Sequence, residues 1–374
     1  MAYVAVKGGT EAIEHAIERL KYERIRQGTI LDVQHIEHGL RGLIDQVMSE
    51  SSLYDETLAA LAIKQSEGNP EEAVFLLRAY RSTLPRKHYS RVATTAQMDV
   101  ERRISAAFKD IPGGQLLGAT VDYMHRLLDF SLLEESLPEL ARWREQFEQQ
   151  SRATAANASE FALHQLPRVI DLLRKEGLMA SFPEHPGEPD DVTRESLQFP
   201  STRSQRLQVL TRGQTGAVTA LGYAVLRGYG ALHPAVGELR VGQVPITINH
   251  PLDPAGEEED AYYIGDFKLT EAEMLIPHTV VRPDGKNELE FVIGYGICYG
   301  QNETKAIAMG ILDNALETPH PNFPPHDEEF VLYHIDCVEA TGFISHLKMP
   351  HYVTFQSDLE RVRHTKVEEG KEAP

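Results

Sequence analysis

Two histidines near the end of the sequence are of a type that binds metals or carries protons. His346 and His351 lie five residues apart in the stretch SHLKMPHY (345–352), with Pro350 between them. Imidazole is a common metal ligand and the usual proton carrier near neutral pH. The proline disfavours one continuous helix, so the two histidines are predicted to lie on either side of a turn.

Taken alone, the pair is an incomplete metal site. A structural zinc ion takes four ligands, and a catalytic one takes three and keeps an open position. His334, Asp336 or Cys337 would complete the site within this chain, or a partner subunit would complete it. Because the chain has 16 histidines, chance neighbours are common, and spacing alone favours two ordinary loop histidines.

A basic cluster surrounds a glycine turn in the stretch DIPGGQLLG (110–118). Arg102, Arg103 and Lys109 precede the turn, and Arg126 follows it. Glycine lets a backbone come close to a ligand, and Lys and Arg pair well with phosphate oxygens. The cluster therefore predicts either a phosphate site or a set of salt bridges to the many carboxylates of the chain.

A second glycine-rich stretch, GYGICYG (294–300), does not match a nucleotide fingerprint. It has one residue too many for GxGxxG, and the sequence has no GxxxxGK[ST], which excludes a P-loop nucleotide hydrolase. The strand turns into a helix that Asn302 is predicted to cap. Free backbone N–H groups at such a helix start can hold a phosphate, although an ordinary strand-to-helix turn is the favoured alternative.

The composition is that of a globular protein with two or three domains: 374 residues, 41% hydrophobic and 25% charged. The formal net charge of −19 disfavours nonspecific binding of nucleic acid. No apolar run approaches the ~18 residues that span a bilayer, and the N-terminal MAYVAVKGG does not match a signal peptide, so a cytoplasmic protein is expected. The two cysteines, Cys298 and Cys337, exclude an iron–sulfur cluster or a Cys-rich zinc site held by this chain alone.

The element pattern predicts an α+β fold, in which a mainly helical N-terminal part precedes a mixed C-terminal part with an antiparallel or mixed sheet. Residues 181–200 are rich in Pro, Gly, Asp and Glu and are predicted to be a linker. They separate a helical domain, 1–180, from an α+β domain, 201–362, that carries the two histidines. Residues 363–374 are predicted to be a flexible tail.

Helical and strand periodicities place the individual elements. Helices are predicted from Thr10 onward and from Pro70 onward, and over 33–48, 56–65, 99–109, 121–130, 133–152, 161–178 and 303–316. Strands are predicted over 3–6, 237–248, 289–298 and 329–336.

Eight stretches carry a resemblance to one protein family. They are MAYVAVKGG (1–9), EAVFLLRAYRSTL (72–84), ERRISAAFKDIPGGQLLG (101–118), DYMHRLLDF (122–130), RGYG (227–230), HP (233–234), DEEFVL (327–332) and VEATGFISHLKMPHYV (338–353). In this order and over nearly the whole chain, they resemble the PhnI subunit of the bacterial carbon–phosphorus lyase machinery.

The resemblance implies a role in phosphonate use. PhnI-type subunits join PhnG-, PhnH- and PhnJ-type subunits in a core complex with two copies of each. With these partners and a PhnL-type ATPase, they attach an alkylphosphonate to C1′ of ATP and expel adenine. The product with methylphosphonate is α-D-ribose 1-methylphosphonate 5-triphosphate. Alone, such a subunit is expected to act as a nucleosidase on ATP or GTP, whereas the radical-SAM partner PhnJ breaks the carbon–phosphorus bond.

The resemblance also implies a zinc site. In this family the two histidines that match His346 and His351 meet cysteines of PhnJ around a zinc ion at the subunit interface. This chain would then supply half of a shared site, and Cys337 would not be a ligand.

The remaining site residues are predicted from the local sequence. Arg102, Lys109 and Arg126 are predicted to contact the triphosphate, with Mg²⁺ as a companion of the nucleotide. Asp110 or Asp129 is predicted to serve the ribose or the base, because cleavage of a glycosidic bond uses carboxyl groups near C1′ and the leaving group.

Two other functions compete with an enzymatic one. The chain can be a non-catalytic scaffold that presents a zinc half-site and a docking surface to the radical-SAM subunit, or a protein that binds a nucleotide without turnover. Release of free purine base from GTP would distinguish the enzymatic function from these two.

Overall fold

The computed structural model describes residues 8–155, 166–181, 189–229, 233–252, 261–349 and 351–369. The α-helices in these ranges are α1 Gly9–Ile25, α2 Val33–Gly39, α3 Arg41–Ser51, α4 Glu56–Gln65, α5 Pro70–Thr83, α6 Leu137–Ala155, α7 Val169–Lys175, α8 Arg203–Arg212, α9 Thr215–Ala224, α10 Glu303–Glu317, α11 Glu328–His334, α12 Cys337–Ser345 and α13 Tyr352–Glu369. The strands are β1 Asp99–Ile104, β2 Ala235–Ile248, β3 Tyr262–Val281 and β4 Asn287–Tyr299. None of the described helices is long and apolar enough to cross a membrane.

The four strands form an antiparallel sheet in which each strand pairs with the next along the chain. The register places Arg240 of β2 opposite Glu271 of β3, and Glu273 of β3 opposite Tyr295 of β4. Because partners across an antiparallel ladder share a face, these four side chains lie on the same side of the sheet. The predicted α+β fold with an antiparallel sheet is confirmed.

Helix α10 covers the opposite face of the sheet. Leu239 and Val241 of β2, Ala272 of β3 and Cys298 of β4 form a buried apolar cluster with Ala306 of α10. These strand positions alternate with the charged ones, as the period of two residues in a strand requires. One face of the sheet is therefore an ordinary apolar core, and the other carries charge.

Two glycines of β4 allow α10 to lie this close. A Cβ atom added at Gly294 would lie 1.9 Å from the carbonyl oxygen of Gly310, and one added at Gly296 would lie 1.9 Å from that of Ala306. Real Cβ atoms do not approach backbone oxygens to this distance, so only glycine fits at either position. Packing of a helix on a strand thus explains Gly294 and Gly296, two of the three glycines of the GYGICYG stretch.

The N-terminal helices build a second core. Helices α2 to α5 bury a cluster of aliphatic side chains, to which α12 contributes Cys337. Helix α5 starts at Pro70 with Asn69 as its N-cap, whose side chain accepts a hydrogen bond from the Glu72 amide at 2.9 Å. Proline in the first turn and a capping asparagine are the signals that predicted this start.

Contacts group the chain into two compact units, each made of separate segments. Unit 1 comprises Met1–Pro85, Asp190–Leu221 and Pro319–Pro374, and unit 2 comprises Arg86–Pro189 and Gly222–Thr318. The sheet with α10 belongs to unit 2, and the core of α2 to α5 with α12 belongs to unit 1. These units do not follow the consecutive division at 181–200 that the sequence predicted.

The prediction of a helix over 99–109 is wrong. Residues Asp99–Ile104 form β1, with Val100, Arg102 and Arg103 buried. Only Val100 and Ile104 in this strand are apolar, so the alternation typical of a strand is hidden by inward-facing arginines. Pairing with β2 and with buried carboxylates overrides the helical propensity of the Glu, Arg and Ala residues.

Two further predictions of element type are wrong. Residues 121–130 hold a 3-10 turn, Val121–Tyr123, rather than a helix, and a second turn, Phe130–Leu133, follows. The predicted strand 329–336 is helix α11, which Asp327 caps through the Phe330 amide at 2.7 Å. A short apolar run is compatible with a strand or a buried helix, and the cap decides between them.

Several boundaries differ from those predicted. The helix predicted over 33–48 is divided into α2 and α3 at Leu40, directly after a glycine. The helix predicted over 161–178 is described only as the shorter α7, and α13 remains helical through Glu369, into the predicted tail. The strand predicted over 3–6 lies outside the described residues.

Replacement of Gly294 by alanine tests the contact between α10 and β4. We expect Gly294→Ala to lower the free energy of unfolding by about 1–3 kcal/mol, because the new methyl group forces the helix off the strand. Denaturant unfolding of the full chain measures this change.

The matched control is Gly342→Ala in α12, where an added Cβ would meet no atom within 4 Å. We expect this control to leave the stability unchanged or to raise it by about 0.5–1 kcal/mol. Equal effects of the two substitutions would show that α10 does not constrain Gly294.

Candidate functional site

The structure brings His346 and His351 together. His346 follows α12 and opens a 3-10 turn, His346–Lys348, and His351 directly precedes α13. The centroids of the two imidazole rings lie 5.2 Å apart, with the ring planes at 70°. The prediction that the pair lies on either side of a turn is confirmed.

Backbone contacts fix the orientation of both rings. Nδ1 of His346 contacts the carbonyl oxygen of Phe343, and Nδ1 of His351 lies 2.6 Å from that of Met349. Because a carbonyl oxygen only accepts hydrogen bonds, Nδ1 is the protonated nitrogen in each neutral ring and the lone pair lies on Nε2. This is how metal-ligating histidines are commonly oriented by their surroundings.

The two rings therefore fit a zinc-type ion as a pair of nitrogen ligands. In the part of the chain that the structure describes, no group of three or more His, Cys, Asp or Glu side chains is placed to hold a metal. Cys337 is buried in the core of unit 1, and burial with nearby Glu50 raises the pKa of its thiol to about 12. A metal-binding thiolate needs the opposite shift, so Cys337 is a core residue.

Exposed apolar side chains flank the two histidines along the chain. We call the following residues the histidine surface, each of them about half exposed or more: Phe343, Ile344, Leu347, Met349, Tyr352, Val353 and Phe355. So many exposed large apolar residues within 13 positions of the chain favour an interaction site at this segment.

Arg102, one of the three cations predicted to contact phosphate, is engaged inside unit 2. Its guanidinium pairs with Glu303 in the first turn of α10 at 2.5 Å and with Asp122 at 2.8 Å, and it also contacts the Leu117 carbonyl. Its side chain is 5% exposed. Its charge is therefore balanced by two carboxylates, which also hold the turn at Asp122 against the start of α10.

Arg126 lies on the outer side of the same turn. Its side chain is 66% exposed and contacts Asp122 at 3.4 Å, so Arg102 and Arg126 share one carboxylate. Lys109 and Asp110 are also exposed, and their side chains make no hydrogen bond to the residues that the structure describes.

Asp129 serves the local backbone. Its carboxylate accepts hydrogen bonds from the Ser131 hydroxyl at 2.6 Å and from the Ser131 amide at 3.0 Å, and these two bonds lower its pKa. Asp129 is therefore ionised at neutral pH and acts as the N-cap of the turn Phe130–Leu133. In this state it can accept hydrogen bonds or stabilise positive charge, but it cannot donate a proton.

The start of α10 favours the strand-to-helix turn over a phosphate site. Asn302 caps the helix through the Lys305 amide at 3.2 Å, as predicted, and its carbonyl accepts from the Ala306 amide. The first turn carries Glu303, whose negative charge would repel an anion.

Sequence reasoning missed a buried ionic cluster on the sheet face opposite α10. We call it the sheet-face cluster, and its members are Glu238 and Arg240 of β2, Glu271 and Glu273 of β3, Tyr295 of β4, Arg103 of β1, and Thr95 and Arg168 from the segments that cover the face. The stretches GELRV and TEAEM, with charged residues two positions apart between apolar ones, are the signal that could have revealed it.

Arg103 and Glu238 form one half of this cluster. The guanidinium donates to Glu238 at 2.5 Å and to the carbonyl oxygens of Pro112 and Pro167 at 2.7 and 2.6 Å. The second Glu238 oxygen accepts the Val169 amide at the start of α7. This pair therefore fixes the glycine turn that carries Lys109 and Asp110.

Glu271 is the centre of the other half. It accepts hydrogen bonds from Thr95 at 2.7 Å and from Tyr295 at 2.8 Å, and it pairs with Arg240 and Arg168. Burial alone would raise the pKa of Glu271, but the two arginines and the hydroxyl of Thr95 outweigh burial and lower it. Burial and the neighbouring Glu271 raise the pKa of Tyr295 well above its usual value, so Tyr295 is a neutral hydrogen-bond donor.

Comparison with known proteins gives the family. The model of a family described as "Bacterial phosphonate metabolism protein (PhnI)" matches residues 2–369. The chain belongs to the PhnI family. The match spans both histidines, the glycine turn and every strand of the sheet.

Curated relatives of the PhnI family align with nearly the whole chain. A Stutzerimonas stutzeri protein named "Putative C-P lyase subunit protein HtxH" is 46% identical over 98% of this chain and 96% of its own length. The Escherichia coli (strain K12) protein named "Alpha-D-ribose 1-methylphosphonate 5-triphosphate synthase subunit PhnI" is 43% identical over 98% of this chain and 99% of its own length. A Rhizobium meliloti (strain 1021) protein of the same name is 43% identical over 96% and 94%.

An ion pair anchors the helix that leads to the histidines of this PhnI-family chain. Asp336 caps α12 through the Val338 and Glu339 amides at 2.9 and 3.0 Å, and it pairs with Arg78 of α5 at 2.6 Å. Burial alone would raise the pKa of Asp336, but Arg78 and the helix amides outweigh burial and lower it. Arg78 also donates to the Glu50 carbonyl at the end of α3.

The pH dependence of stability tests this ion pair. Because the pKa of Asp336 is lower in the folded chain than the ~3.9 of an unfolded aspartate, the pair stabilises the fold above about pH 4 and loses this contribution as the pH falls through the folded value. Asp336→Asn keeps the cap but removes the charge, so we expect a loss of about 1–3 kcal/mol at pH 7 and a shallower decline in stability below pH 4. Denaturant unfolding from pH 2 to 7 measures both.

The matched control is Asp55→Asn. Asp55 caps α4 through the Leu58 amide at 2.8 Å and makes no ion pair with the described residues. We expect its replacement to have little effect at any pH in this range. An acid decline as steep in Asp336→Asn as in the unaltered chain would assign that decline to other carboxylates.

Proposed function

We propose that this chain is the PhnI-type subunit of α-D-ribose 1-methylphosphonate 5-triphosphate synthase. The observation that carries the proposal is 43% identity, over nearly their full lengths, to two relatives named as this subunit. With its partners, the subunit displaces the purine of ATP by an alkylphosphonate, whose oxygen forms the new bond to C1′. Without them, water takes the place of the phosphonate, and the chain acts as a nucleosidase on ATP or GTP.

The chemistry requires three kinds of group. Departure of the purine develops positive charge on C1′ and the ring oxygen, which a carboxylate stabilises, and the base leaves with a proton. The triphosphate requires cations, supplied by side chains or by Mg²⁺. For this reason we propose Asp110 or Asp129 for the ribose or base, and Lys109 and Arg126 for the phosphates.

The exposure of Lys109, Asp110 and Arg126 supports these roles, since all three can reach a ligand in solvent. Arg102 was predicted as a phosphate contact as well. Its pairing with two carboxylates makes it better suited to hold Asp122, and through it Arg126, in place. Asp129 is suited to stabilising positive charge rather than to acting as an acid, because its pKa is lowered.

We further propose that His346 and His351 supply two ligands of a zinc site that is completed by cysteines of a PhnJ-type partner. The orientation of both rings through Nδ1 and the exposed apolar histidine surface support this assignment. The complex would also contain PhnG- and PhnH-type subunits and pairs of this chain, and would work with a PhnL-type ATPase.

The histidine surface also favours a second candidate function, that of a scaffold without catalytic residues of its own. In that case the chain would position a partner and its metal, and a different subunit would cleave the nucleotide.

Release of free base decides between the two functions. The purified full chain incubated with GTP is expected to release guanine and ribose 5-triphosphate, which chromatography detects. Lys109→Ala is expected to raise KM about tenfold or more, because one charge-assisted phosphate contact is lost.

Lys175→Ala, another exposed lysine of unit 2, serves as the control and is expected to leave KM and kcat unchanged. Absence of guanine release from the chain alone, together with release by the complete complex that Lys109→Ala does not change, would favour the scaffold. Unchanged kinetics of Lys109→Ala would remove Lys109 from the site.

Metal analysis tests the shared zinc site. The chain purified with its PhnJ-type partner is expected to contain about one zinc per pair of subunits, and His346→Ala or His351→Ala is expected to abolish it while the isolated chain still folds.

His334→Ala is the matched control. The Nδ1 atom of His334 makes the same kind of contact with a carbonyl oxygen, that of Phe330 at 2.6 Å, so its loss should not change the zinc content. A full complement of zinc in the isolated chain would rule out a site that needs the partner.

A further inference from the structure

Tyr123 presents an aromatic ring to solvent beside the buried guanidinium of Arg102. The residue ends the 3-10 turn Val121–Tyr123 and is 57% exposed. The guanidinium carbon of Arg102 lies 5.6 Å from the centroid of the ring. Because the Arg102 side chain is only 5% exposed, it covers the inner face of the ring and leaves the outer face to solvent.

Side-chain contacts hold the segment that carries this ring. Arg102 pairs with Asp122, the residue before the tyrosine, at 2.8 Å, and Thr120 caps the turn through the Asp122 amide at 3.3 Å. Gln301 donates a hydrogen bond to the carbonyl oxygen of Ala119 at 3.1 Å. A molecule that stacks on the ring therefore does not have to order this segment first, which lowers the entropy cost of binding.

The backbone of Arg126, three residues after the tyrosine, is in the left-handed region with a φ of 56°. This conformation is uncommon for a residue other than glycine. In the described ranges Ser52 and Glu67 share it, but they lie at the ends of α3 and α4, where it is a usual way to end a helix. Arg126 lies between two 3-10 turns instead, and such conformations away from helix ends concentrate at functional sites.

One carboxylate connects the ring with Arg126. Asp122 pairs with Arg102, under the ring, and with the exposed Arg126 at 3.4 Å. The ring and the Arg126 guanidinium are thus joined through a few short contacts and lie within the length of one nucleoside triphosphate. A base on the ring would leave its phosphates within reach of the cation proposed above to bind them.

A flat aromatic face open to solvent is what a nucleobase needs for stacking, and every base has a π-face that can use it. We propose that Tyr123 binds the purine of the nucleotide by stacking, on the face of its ring turned away from Arg102. The proposal rests on the proposed function, since it supplies the base subsite of that nucleotide site.

Comparison of two ligands, one with and one without a base, tests the proposal. The first is a purine C-nucleoside triphosphate, in which a carbon–carbon bond replaces the glycosidic bond, so the chain cannot cleave it. The second is ribose 5-triphosphate, which lacks the base. The full chain is expected to bind the first about 5–100-fold more tightly, as stacking of one base implies. Titration calorimetry measures both affinities.

Two variants assign this difference to the ring. Tyr123→Ala is expected to bind the C-nucleoside triphosphate about 5–100-fold more weakly than the unaltered chain and to bind ribose 5-triphosphate equally well. Tyr123→Phe keeps the ring and is expected to stay within about threefold of the unaltered chain for both ligands. Thermal unfolding shows that the variants fold, and an altered affinity for ribose 5-triphosphate would reveal a disturbed turn.

Tyr89→Ala is the matched control. Tyr89 is 63% exposed and also lies beside a guanidinium, that of Arg86 at 5.1 Å from the ring centroid. Its neighbour Ser90 bridges to Ile248, the last residue of β2, seven residues from the position paired with Arg102. A strand of that length spans about 20 Å, so this substitution is expected to change neither affinity.

Three results would overturn the proposal. In the first, the unaltered chain binds the C-nucleoside triphosphate no better than ribose 5-triphosphate. In the second, Tyr123→Ala weakens both ligands to the same extent, which would give the ring a structural role in the turn. In the third, Tyr123→Ala changes neither affinity, which would assign the exposed ring to contact with a protein.

Base release remains a separate measurement. Tyr123-dependent binding without release of guanine would retain the base subsite and reject the nucleosidase. Release of guanine from GTP with the same KM in Tyr123→Ala as in the unaltered chain would do the reverse.

Discussion

The arrangement of unit 2 depends on how closely α10 lies on β4. Carbonyl oxygens of the helix occupy the space that side chains would take at Gly294 and Gly296. On that side of the sheet, apolar residues of β2, β3 and β4 pack against Ala306 of the helix. The alternate positions face the other way, where they carry Glu238, Arg240 and their partners.

Burying these charges on strands is tolerable only because each has a counter-charge within reach. The desolvation of an ion costs several kcal/mol, and a well-placed partner offsets most of it. The pairs also connect segments that are distant in sequence: Arg103 reaches the carbonyls of Pro112 and Pro167, and Glu238 caps the start of α7. The sheet-face cluster thus positions these loops of unit 2. Hydrogen bonds fix such positions more specifically than apolar contacts do, because they are directional.

The sequence allowed some elements to be predicted because their signals are local. Asn302 and Pro70 mark helix starts by capping and by backbone geometry, and both predictions are confirmed. β1 was mistaken for a helix because Arg102 is buried through a pairing with Glu303, about 200 residues later, that no local pattern reveals. The same cause hid the sheet-face cluster, whose members become meaningful only when the register of β2 and β3 is known.

The residues of the candidate site also differ in whether local sequence or long-range contacts determine their role. His346 and His351 are near in sequence, so their proximity was predictable, and the family resemblance supplied the interpretation of the pair as half of a site. The roles of Arg102 and Asp129 depend on their contacts, which only the structure reveals. Lys109 and Asp110 were predicted as site residues because they adjoin the glycine turn. The structure shows that both are exposed, and their roles remain predictions.

The contacts from the histidine Nδ1 atoms to Phe343 and Met349 have a consequence for the entropy of any interaction that the two rings make. Each ring is held by its own backbone before any other molecule arrives, so its rotamer freedom is already lost during folding. Ordering a flexible side chain at an interface otherwise costs about 0.5–1.5 kcal/mol. An interaction made through these rings does not incur that cost a second time.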